Sequence, residues 1–113
     1  MSQENIAKHS LLDLDYIIDN NKFVIFSKDN CKYCEKSTDL MKSKNIEYYK
    51  FNISDYLEHE AFDNIFDKLM LRSNNGKSYP MIFIDKEYIG GYNQLIAYIK
   101  NLDNQKIFNN EDF

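Results

Sequence analysis

Apolar residues along the chain alternate between helical and extended spacing. From Ser10 to Asn20 they recur at intervals closer to 3.6 than to 2, with aspartates between them, which predicts an amphipathic helix. The apolar run from Phe23 to Phe26 predicts a strand that is buried on both faces of a sheet. A polar loop, Ser27 to Asn30, then leads into a helical pattern that covers Lys32 to Lys44.

The middle of the chain repeats this alternation. Ile46 to Ile53 is aromatic and β-rich, which predicts a second strand. The helix before it is long enough for a crossover, so the two strands are expected to be parallel. Asp55 to Leu71 carries an apolar stripe at helical spacing, and Ser54 or Asp55 is expected to cap the start of this helix.

Proline and glycine, the residues that interrupt regular structure, are confined to one short segment of the chain. The only proline and all three glycines lie between Gly76 and Gly91. Gly76 is predicted to be the left-handed residue that ends the preceding helix. Met81 to Ile84 and Glu87 to Ile89 flank Asp85-Lys86, which predicts an antiparallel hairpin with a tight turn.

The chain closes with an amphipathic helix, Asn93 to Asn101, followed by a polar tail from Asp103 that is expected to be partly disordered. The predicted order is therefore α-β-α-β-α-β-β-α, an α/β fold with a mixed four-stranded sheet flanked by helices. A length of 113 residues suits one domain, residues 1–113, with a core from about residue 15 to residue 101.

The charge and the N-terminus narrow the class of protein. The net charge of −4 argues against a surface that follows nucleic-acid phosphates, because such surfaces are normally basic. Met1 to His9 is polar, no apolar signal-peptide core follows it, and no run approaches the length of a membrane span. We therefore expect a cytoplasmic protein with neither a nucleic-acid nor a membrane partner.

The only two cysteines, Cys31 and Cys34, stand where the first strand passes into a helix. At such a junction the helix N-terminus favours a thiolate on Cys31 and lowers its pKa, and Cys34, about one turn along, can attack a mixed disulfide on Cys31. Two other interpretations are half of a zinc site and an inert structural pair. Zinc would need further ligands, and the only histidines, His9 and His59, lack paired spacing, so no metal site is expected.

Three motifs, in this order and spacing, make the chain resemble the dithiol glutaredoxins of the thioredoxin-like fold. Cys31-Lys32-Tyr33-Cys34 is similar to their C-P-Y-C motif, and Ser78-Tyr79-Pro80 stands where they have T-V-P. The segment from Ile89 to Leu95, with Gly90-Gly91, is similar to their I-G-G-x-[ST]-D-L motif. The resemblance covers about residues 15 to 101.

The resemblance implies a glutathione site at seven positions, Lys28, Tyr33, Lys77, Tyr79, Pro80, Asn93 and Gln94. Lys28 and Lys77 would pair with the glycine carboxylate of glutathione. The backbone of Tyr79, before a cis Pro80, would bind the cysteinyl part as an added strand does. The residues that open the last helix would bind the γ-glutamyl end, since a helix N-terminus suits a carboxylate.

Three positions depart from the family pattern. Lys32 replaces the motif proline, which adds a positive charge beside both sulfurs, so we expect an altered redox potential. Tyr79 replaces a valine and brings a bulkier side chain to a backbone-contact position. Gln94 replaces an aspartate that would pair with the glutathione ammonium, so we expect weaker binding of the γ-glutamyl end of glutathione.

The family then implies an enzyme that reduces protein disulfides and glutathione mixed disulfides with glutathione as reductant. Cys31 would attack the substrate, and Cys34 would resolve the protein disulfide. The partners would be glutathione and disulfide-bearing or glutathionylated proteins, and the protein would act as a monomer. One alternative is a carrier in which Cys31 thiolates and glutathione hold a [2Fe–2S] cluster. Another is a thioredoxin-type reductant that does not use glutathione, against which stands the absence of tryptophan.

Overall fold

The structure, a computed structural model, describes residues 13–76 and 78–111. Its elements are α1 (Leu14–Asn20), β1 (Phe23–Ser27), α2 (Lys32–Ser43), β2 (Tyr49–Asn52), a 3₁₀ turn (Ile53–Tyr56), α3 (Phe62–Arg72), β3 (Met81–Ile84), β4 (Glu87–Gly90) and α4 (Tyr92–Glu111). The predicted order of helices and strands is confirmed, with the 3₁₀ turn as an addition.

The four strands form one mixed sheet in the order β2-β1-β3-β4. β1 pairs in parallel with β2, as the crossover predicts, and antiparallel with β3, which pairs antiparallel with β4. Every residue of β1 is buried, which confirms the prediction of a strand covered on both faces. β1 is thus a central strand, and the two cysteines follow its carboxyl end in the sequence.

Helices cover both faces of the sheet, because alternate strand residues point to opposite sides. One core joins α1 and α3 to the sheet through Leu14, Ile17, Ile18, Val24, Phe26, Ile65, Leu69 and Phe83. The other joins α2 and α4 to the opposite face through Phe23, Ile25, Met41, Ile82, Ile84, Leu95 and Ile99. The fold is a three-layer α/β/α arrangement in which α2 and α4 lie side by side.

The first helix begins later than its apolar pattern predicts. Residues 10–12 of the predicted segment lie outside the described residues, and α1 starts at Leu14. Asp13 takes the N-cap position, where its Oδ1 accepts a hydrogen bond from the backbone N–H of Asp15 at 3.1 Å. A capping carboxylate therefore sets the boundary within a longer apolar pattern.

The predicted helix from Asp55 to Leu71 is wrong in its first half. Asn52, the last residue of β2, accepts the backbone N–H of Ser54 on its side chain and starts a 3₁₀ turn instead. α3 begins only at Phe62, and neither Ser54 nor Asp55 caps it. The predicted strand is correspondingly shorter, since β2 covers only Tyr49–Asn52. A local side-chain cap overrode a continuous apolar periodicity.

Gly76 is not the left-handed residue that ends α3. Asn74 and Asn75 take that conformation, with φ of 54° and 63°, and the backbone N–H of Asn75 donates to the carbonyl of Met70 at 2.7 Å. Asparagine tolerates this region because its short polar side chain bonds locally. Gly76 instead donates its N–H to Ser73 Oγ at 3.0 Å.

The C-terminal elements confirm the predicted hairpin, whereas the predicted disorder of the tail from Asp103 is wrong. Asp85 and Lys86 both have positive φ, 52° and 74°, as a two-residue hairpin turn of type I′ requires. α4 does not end at Asn101, and the chain from Asp103 remains helical to Glu111. No glycine or proline interrupts this stretch, and Asp103 pairs with Lys44 at 3.0 Å, which ties the extension of α4 to α2.

Candidate active site

The two cysteines form a disulfide at the N-terminus of α2. Cys31 is the N-cap residue, with extended backbone, and its Sγ accepts a hydrogen bond from the backbone N–H of Cys34 at 3.2 Å. Cys31 is 9% exposed and Cys34 only 2%. Both cysteines are therefore largely buried, and Cys31, at the helix N-terminus that favours negative charge, is the more accessible of the two.

The segment before β3 approaches this disulfide closely. The peptide bond between Tyr79 and Pro80 is cis, as predicted. The carbonyl oxygen of Tyr79 lies 3.7 Å from Cys31 Sγ. Residues distant in sequence, at the start of α2 and before β3, thus meet at one sulfur.

A groove of about 300 Å³ opens next to the cis proline. It is lined by Tyr33, Ser78, Tyr79, Pro80, Gly91, Tyr92, Asn93 and Gln94. Five of these, Tyr33, Tyr79, Pro80, Asn93 and Gln94, were predicted to bind glutathione. Lys28 is exposed and stands over the ring of Tyr79 rather than in the lining, and Lys77 lies outside the described residues. The structure therefore brings most of the predicted positions together, while their ligand remains a prediction.

Gln94 has a structural task in the groove. Its Oε1 accepts the backbone N–H of Gly91 at 2.9 Å, just before the first residue of α4. A glutamine three residues into a helix that reaches back to the N-cap N–H is half of a capping box. The side chain also covers Gly90, where an added Cβ would lie 2.8 Å from Gln94 Cγ and Cδ. The Gln94 carbonyl thereby caps the first turn of α4.

An aromatic and lysine cluster borders the groove, and the sequence motifs did not predict it. The rings of Tyr33 and Tyr92 lie 5.7 Å apart, and Lys36 Nζ lies 5.3 Å from the first centroid and 6.0 Å from the second. The i, i+3 spacing of Tyr33 and Lys36 could have indicated their contact, whereas Tyr92 comes from another helix.

The electrostatic surroundings of the groove are neutral to positive. None of the described lining residues is acidic or basic, and the ammonium groups of Lys28 and Lys36 stand over the rings of Tyr79 and Tyr33. Burial raises the pKa of Tyr79, so its phenol stays protonated and uncharged at neutral pH. The groove thus suits a ligand that carries negative charge and a group able to reach Cys31.

Comparison with known proteins decides the family. The glutaredoxin family model matches residues 23–89, which include both cysteines, the cis proline and most of the sheet. The chain belongs to the glutaredoxin family. Members of this family are thiol–disulfide oxidoreductases, which agrees with the disulfide between Cys31 and Cys34.

Individual glutaredoxins show how far the similarity extends. The chain is 31% identical to the mitochondrial glutaredoxin-2 of Pongo abelii over 80% of its own length and 53% of that protein, so it spans about half of this relative. It is 32% identical to the glutaredoxin-1 of Ectromelia virus over 74% of its length and 76% of that protein. A buckwheat glutaredoxin solved in complex with glutathione superposes with a TM-score of 0.67 at 22% identity, covering 89% of this chain and 87% of that one.

The thioredoxin-like fold is shown by these likenesses. Within residues 13–76 and 78–111, no helix is long and apolar enough to cross a membrane. The same part of the chain holds no group of three or more His, Cys, Asp or Glu side chains placed to bind a metal ion.

Proposed function

We propose that this glutaredoxin is a glutathione-dependent thiol–disulfide oxidoreductase that reduces protein disulfides and glutathione mixed disulfides. One observation carries the proposal. The Cys31–Cys34 disulfide opens α2 beside a groove, and the Tyr79 carbonyl reaches to 3.7 Å from Cys31 Sγ. The Cys31–Cys34 disulfide, which two electrons reduce reversibly to a dithiol, thus lies next to a groove for a small peptide thiol.

The difference in burial supports different roles for the two cysteines. Cys31 is the more exposed sulfur and lies at the helix N-terminus, so as a thiolate it attacks the substrate disulfide. A mixed disulfide forms on Cys31 and the first substrate thiol leaves. Cys34 then attacks Cys31 Sγ, which releases the second substrate thiol and closes the Cys31–Cys34 disulfide. The substrate gains two electrons and the enzyme loses two.

Glutathione returns the enzyme to its dithiol form. One glutathione thiolate attacks Cys31 Sγ, giving a glutathione mixed disulfide on Cys31 and a free Cys34 thiol. A second glutathione attacks the glutathione sulfur of this mixed disulfide, and glutathione disulfide leaves together with the Cys31 thiolate. A glutathionylated protein enters the cycle at the same mixed disulfide, so its reduction needs only Cys31.

The groove supports glutathione as the small thiol. The backbone of Tyr79 adjoins Cys31, as is required for a peptide that binds like an added strand while its sulfur reaches Cys31. Lys28, above the Tyr79 ring, provides a cation for a carboxylate of the peptide. The buckwheat neighbour, which has the same fold, was solved in complex with glutathione.

Cysteine variants test the scheme. Turnover of a small glutathione mixed disulfide with glutathione as reductant is expected for the unaltered protein and for Cys34→Ser. Reduction of a protein disulfide should fall at least about tenfold in Cys34→Ser, because the resolving thiol is lost. Cys31→Ser should lose both activities. Retained turnover in Cys31→Ser would exclude the scheme.

Two controls separate the alternatives left by the sequence. A protein that glutathione cannot reduce but thioredoxin reductase can would be a thioredoxin-type reductant. Iron absorbance after anaerobic reconstitution with iron, sulfide and glutathione, lost in Cys31→Ser, would indicate a cluster carrier. Either result, combined with failure to turn over the mixed disulfide, would overturn the proposal.

A further inference from the structure

The charged groups described around the groove beside Cys31 are positive. Within the part of the chain that the structure describes, its lining consists of tyrosine, serine, proline, glycine, asparagine and glutamine, without an aspartate or glutamate. Lys28 and Lys36 stand over two of the lining rings, at 5.8 and 5.3 Å from the centroids of Tyr79 and Tyr33. A bound ligand therefore meets cations at the rim and no carboxylate in the lining.

Gln94 adds hydrogen-bond donors that also favour a negatively charged ligand group. Its Oε1 already accepts the Gly91 N–H at 2.9 Å, so one lone pair of this oxygen and both hydrogens of the amide NH₂ remain for a ligand. An amide NH₂ donates hydrogen bonds and accepts none. Toward the ligand this side chain therefore offers two donor hydrogens to a carboxylate or carbonyl oxygen, but it offers no negative charge to an ammonium group.

Glutathione has two carboxylates and one ammonium group at neutral pH. Its carboxylates find lysine ammonium groups, helix N–H groups and the Gln94 NH₂ as partners. Among the described lining residues its ammonium finds only neutral oxygens, such as those of Asn93, Ser78 and Gln94. A neutral oxygen accepts a hydrogen bond from the ammonium but adds no opposite charge, and the open groove lets water compete for the same ammonium, so the amino group contributes little to binding.

We propose that this protein recognises its thiol co-substrate by the two carboxylates and is indifferent to the α-ammonium group. The substrate class is then a cysteinyl peptide with a carboxylate at each end, whether or not its amino group is present. This inference rests on the proposed function, because it concerns the peptide thiol that reduces Cys31–Cys34. Gln94 is the residue that determines this specificity.

The test compares glutathione with glutaryl-cysteinylglycine, which differs from glutathione only in lacking the amino group. Second-order rate constants for reduction of the Cys31–Cys34 disulfide by each thiol are measured by mass spectrometry of acid-quenched samples, without a coupling enzyme. Each constant is divided by that of the same thiol with a small free disulfide, which removes intrinsic thiol reactivity. The corrected constants should agree within about twofold, or favour the des-amino thiol.

A Gln94→Glu variant keeps the length of the side chain and its reach to the Gly91 N–H while adding a carboxylate. We expect its corrected preference for glutathione over the des-amino thiol to rise about three- to fivefold above that of the unaltered protein. Asn101→Asp adds the same charge at an exposed position further along α4 and should leave the ratio unchanged. Thermal unfolding of both variants checks that the cap is kept.

The rate constants for the two thiols distinguish failure of the proposed function from failure of the inference. If neither thiol reduces the disulfide, the proposed function fails and the inference fails with it. If glutathione reduces it and the corrected constant of the des-amino thiol is more than about twofold lower in the unaltered protein, the proposed function stands and the inference is overturned. An unchanged ratio in a folded Gln94→Glu variant would likewise remove Gln94 as the determinant.

Discussion

The ammonium group of Lys28 lies over the ring of Tyr79, with Nζ 5.8 Å from the ring centroid. The carbonyl oxygen of the same tyrosine lies 3.7 Å from Cys31 Sγ. Tyr79 therefore contacts the reactive sulfur with its backbone and a groove cation with its side chain. Its ring occupies a position where the family pattern has valine, which offers no aromatic face to a cation.

Replacing this ring should weaken co-substrate binding more than chemistry. Tyr79→Val leaves the backbone carbonyl but removes the surface that holds Lys28, worth about 0.5 to 1 kcal/mol at an exposed site. We expect the KM for a small glutathione mixed disulfide to rise about two- to fivefold with kcat nearly unchanged, in steady-state assays. Tyr79→Phe keeps the ring face and is the matched control. Equal KM values in the valine and phenylalanine variants would contradict this role.

The same tyrosine should make folding stability sensitive to alkaline pH. Burial raises the pKa of Tyr79 above its ordinary value of about 10. Because the folded protein holds this proton more tightly than the unfolded chain, the contribution is complete below pH 10 and is lost as pH rises through the raised pKa. Urea unfolding above pH 10 should show a smaller loss of stability in Tyr79→Phe. Tyr16→Phe, at a half-exposed ring, is the control and should follow the unaltered protein.

An ion-pair network should contribute to stability between α1, α3 and the hairpin. Burial works to lower the pKa of Arg72, but hydrogen bonds to Asp15 and Asp19 outweigh it and raise the pKa. The guanidinium lies 2.8 and 3.0 Å from these carboxylates and also donates to the Lys86 carbonyl at 3.3 Å. Arg72→Met should lower the free energy of unfolding by about 1 to 2 kcal/mol in urea titrations.

The neighbouring Lys68 supplies a matched control for Arg72. Its Nζ lies 3.6 Å from an oxygen of Asp15 and 3.8 Å from one of Asp13, and its side chain is more exposed than that of Arg72. Lys68→Met should therefore change the free energy of unfolding by less than about 0.5 kcal/mol. Equal losses for the two methionine variants would show that the partly buried guanidinium of Arg72 adds nothing beyond a more exposed ion pair.

The two adjacent glycines before α4 should respond differently to alanine. Gly90 has φ of +120°, and an added Cβ would lie 2.8 Å from the Gln94 side chain. Gly90→Ala should therefore destabilise the protein by about 1 to 3 kcal/mol in thermal or urea unfolding. At Gly91 a Cβ would lie 3.4 Å from the Pro80 carbonyl oxygen, an ordinary contact, and Gly91→Ala should cost less than about 1 kcal/mol. A reversed order would contradict the described backbone at this strand end.

Much of the site could be predicted because motif residues keep their order and because elements of period 2 and 3.6 alternate clearly. The prediction failed where short side chains bond to nearby backbone. Asn52 turns the chain into a 3₁₀ helix, and Asn74 and Asn75 take the left-handed conformation assigned to Gly76. Such bonds depend on local geometry that apolar periodicity does not record.

The sequence by itself determined the alternation of elements, the position of both cysteines at a strand-to-helix junction, and the family motifs. These follow from residue order and from the spacing of apolar side chains, which are local properties. Only the tertiary structure decided that Tyr92 joins Tyr33 and Lys36, that the Tyr79 carbonyl approaches Cys31 Sγ, and that Lys28 stands over Tyr79. These contacts depend on how turns and side chains pack around the groove, and that packing sets the charge a co-substrate meets.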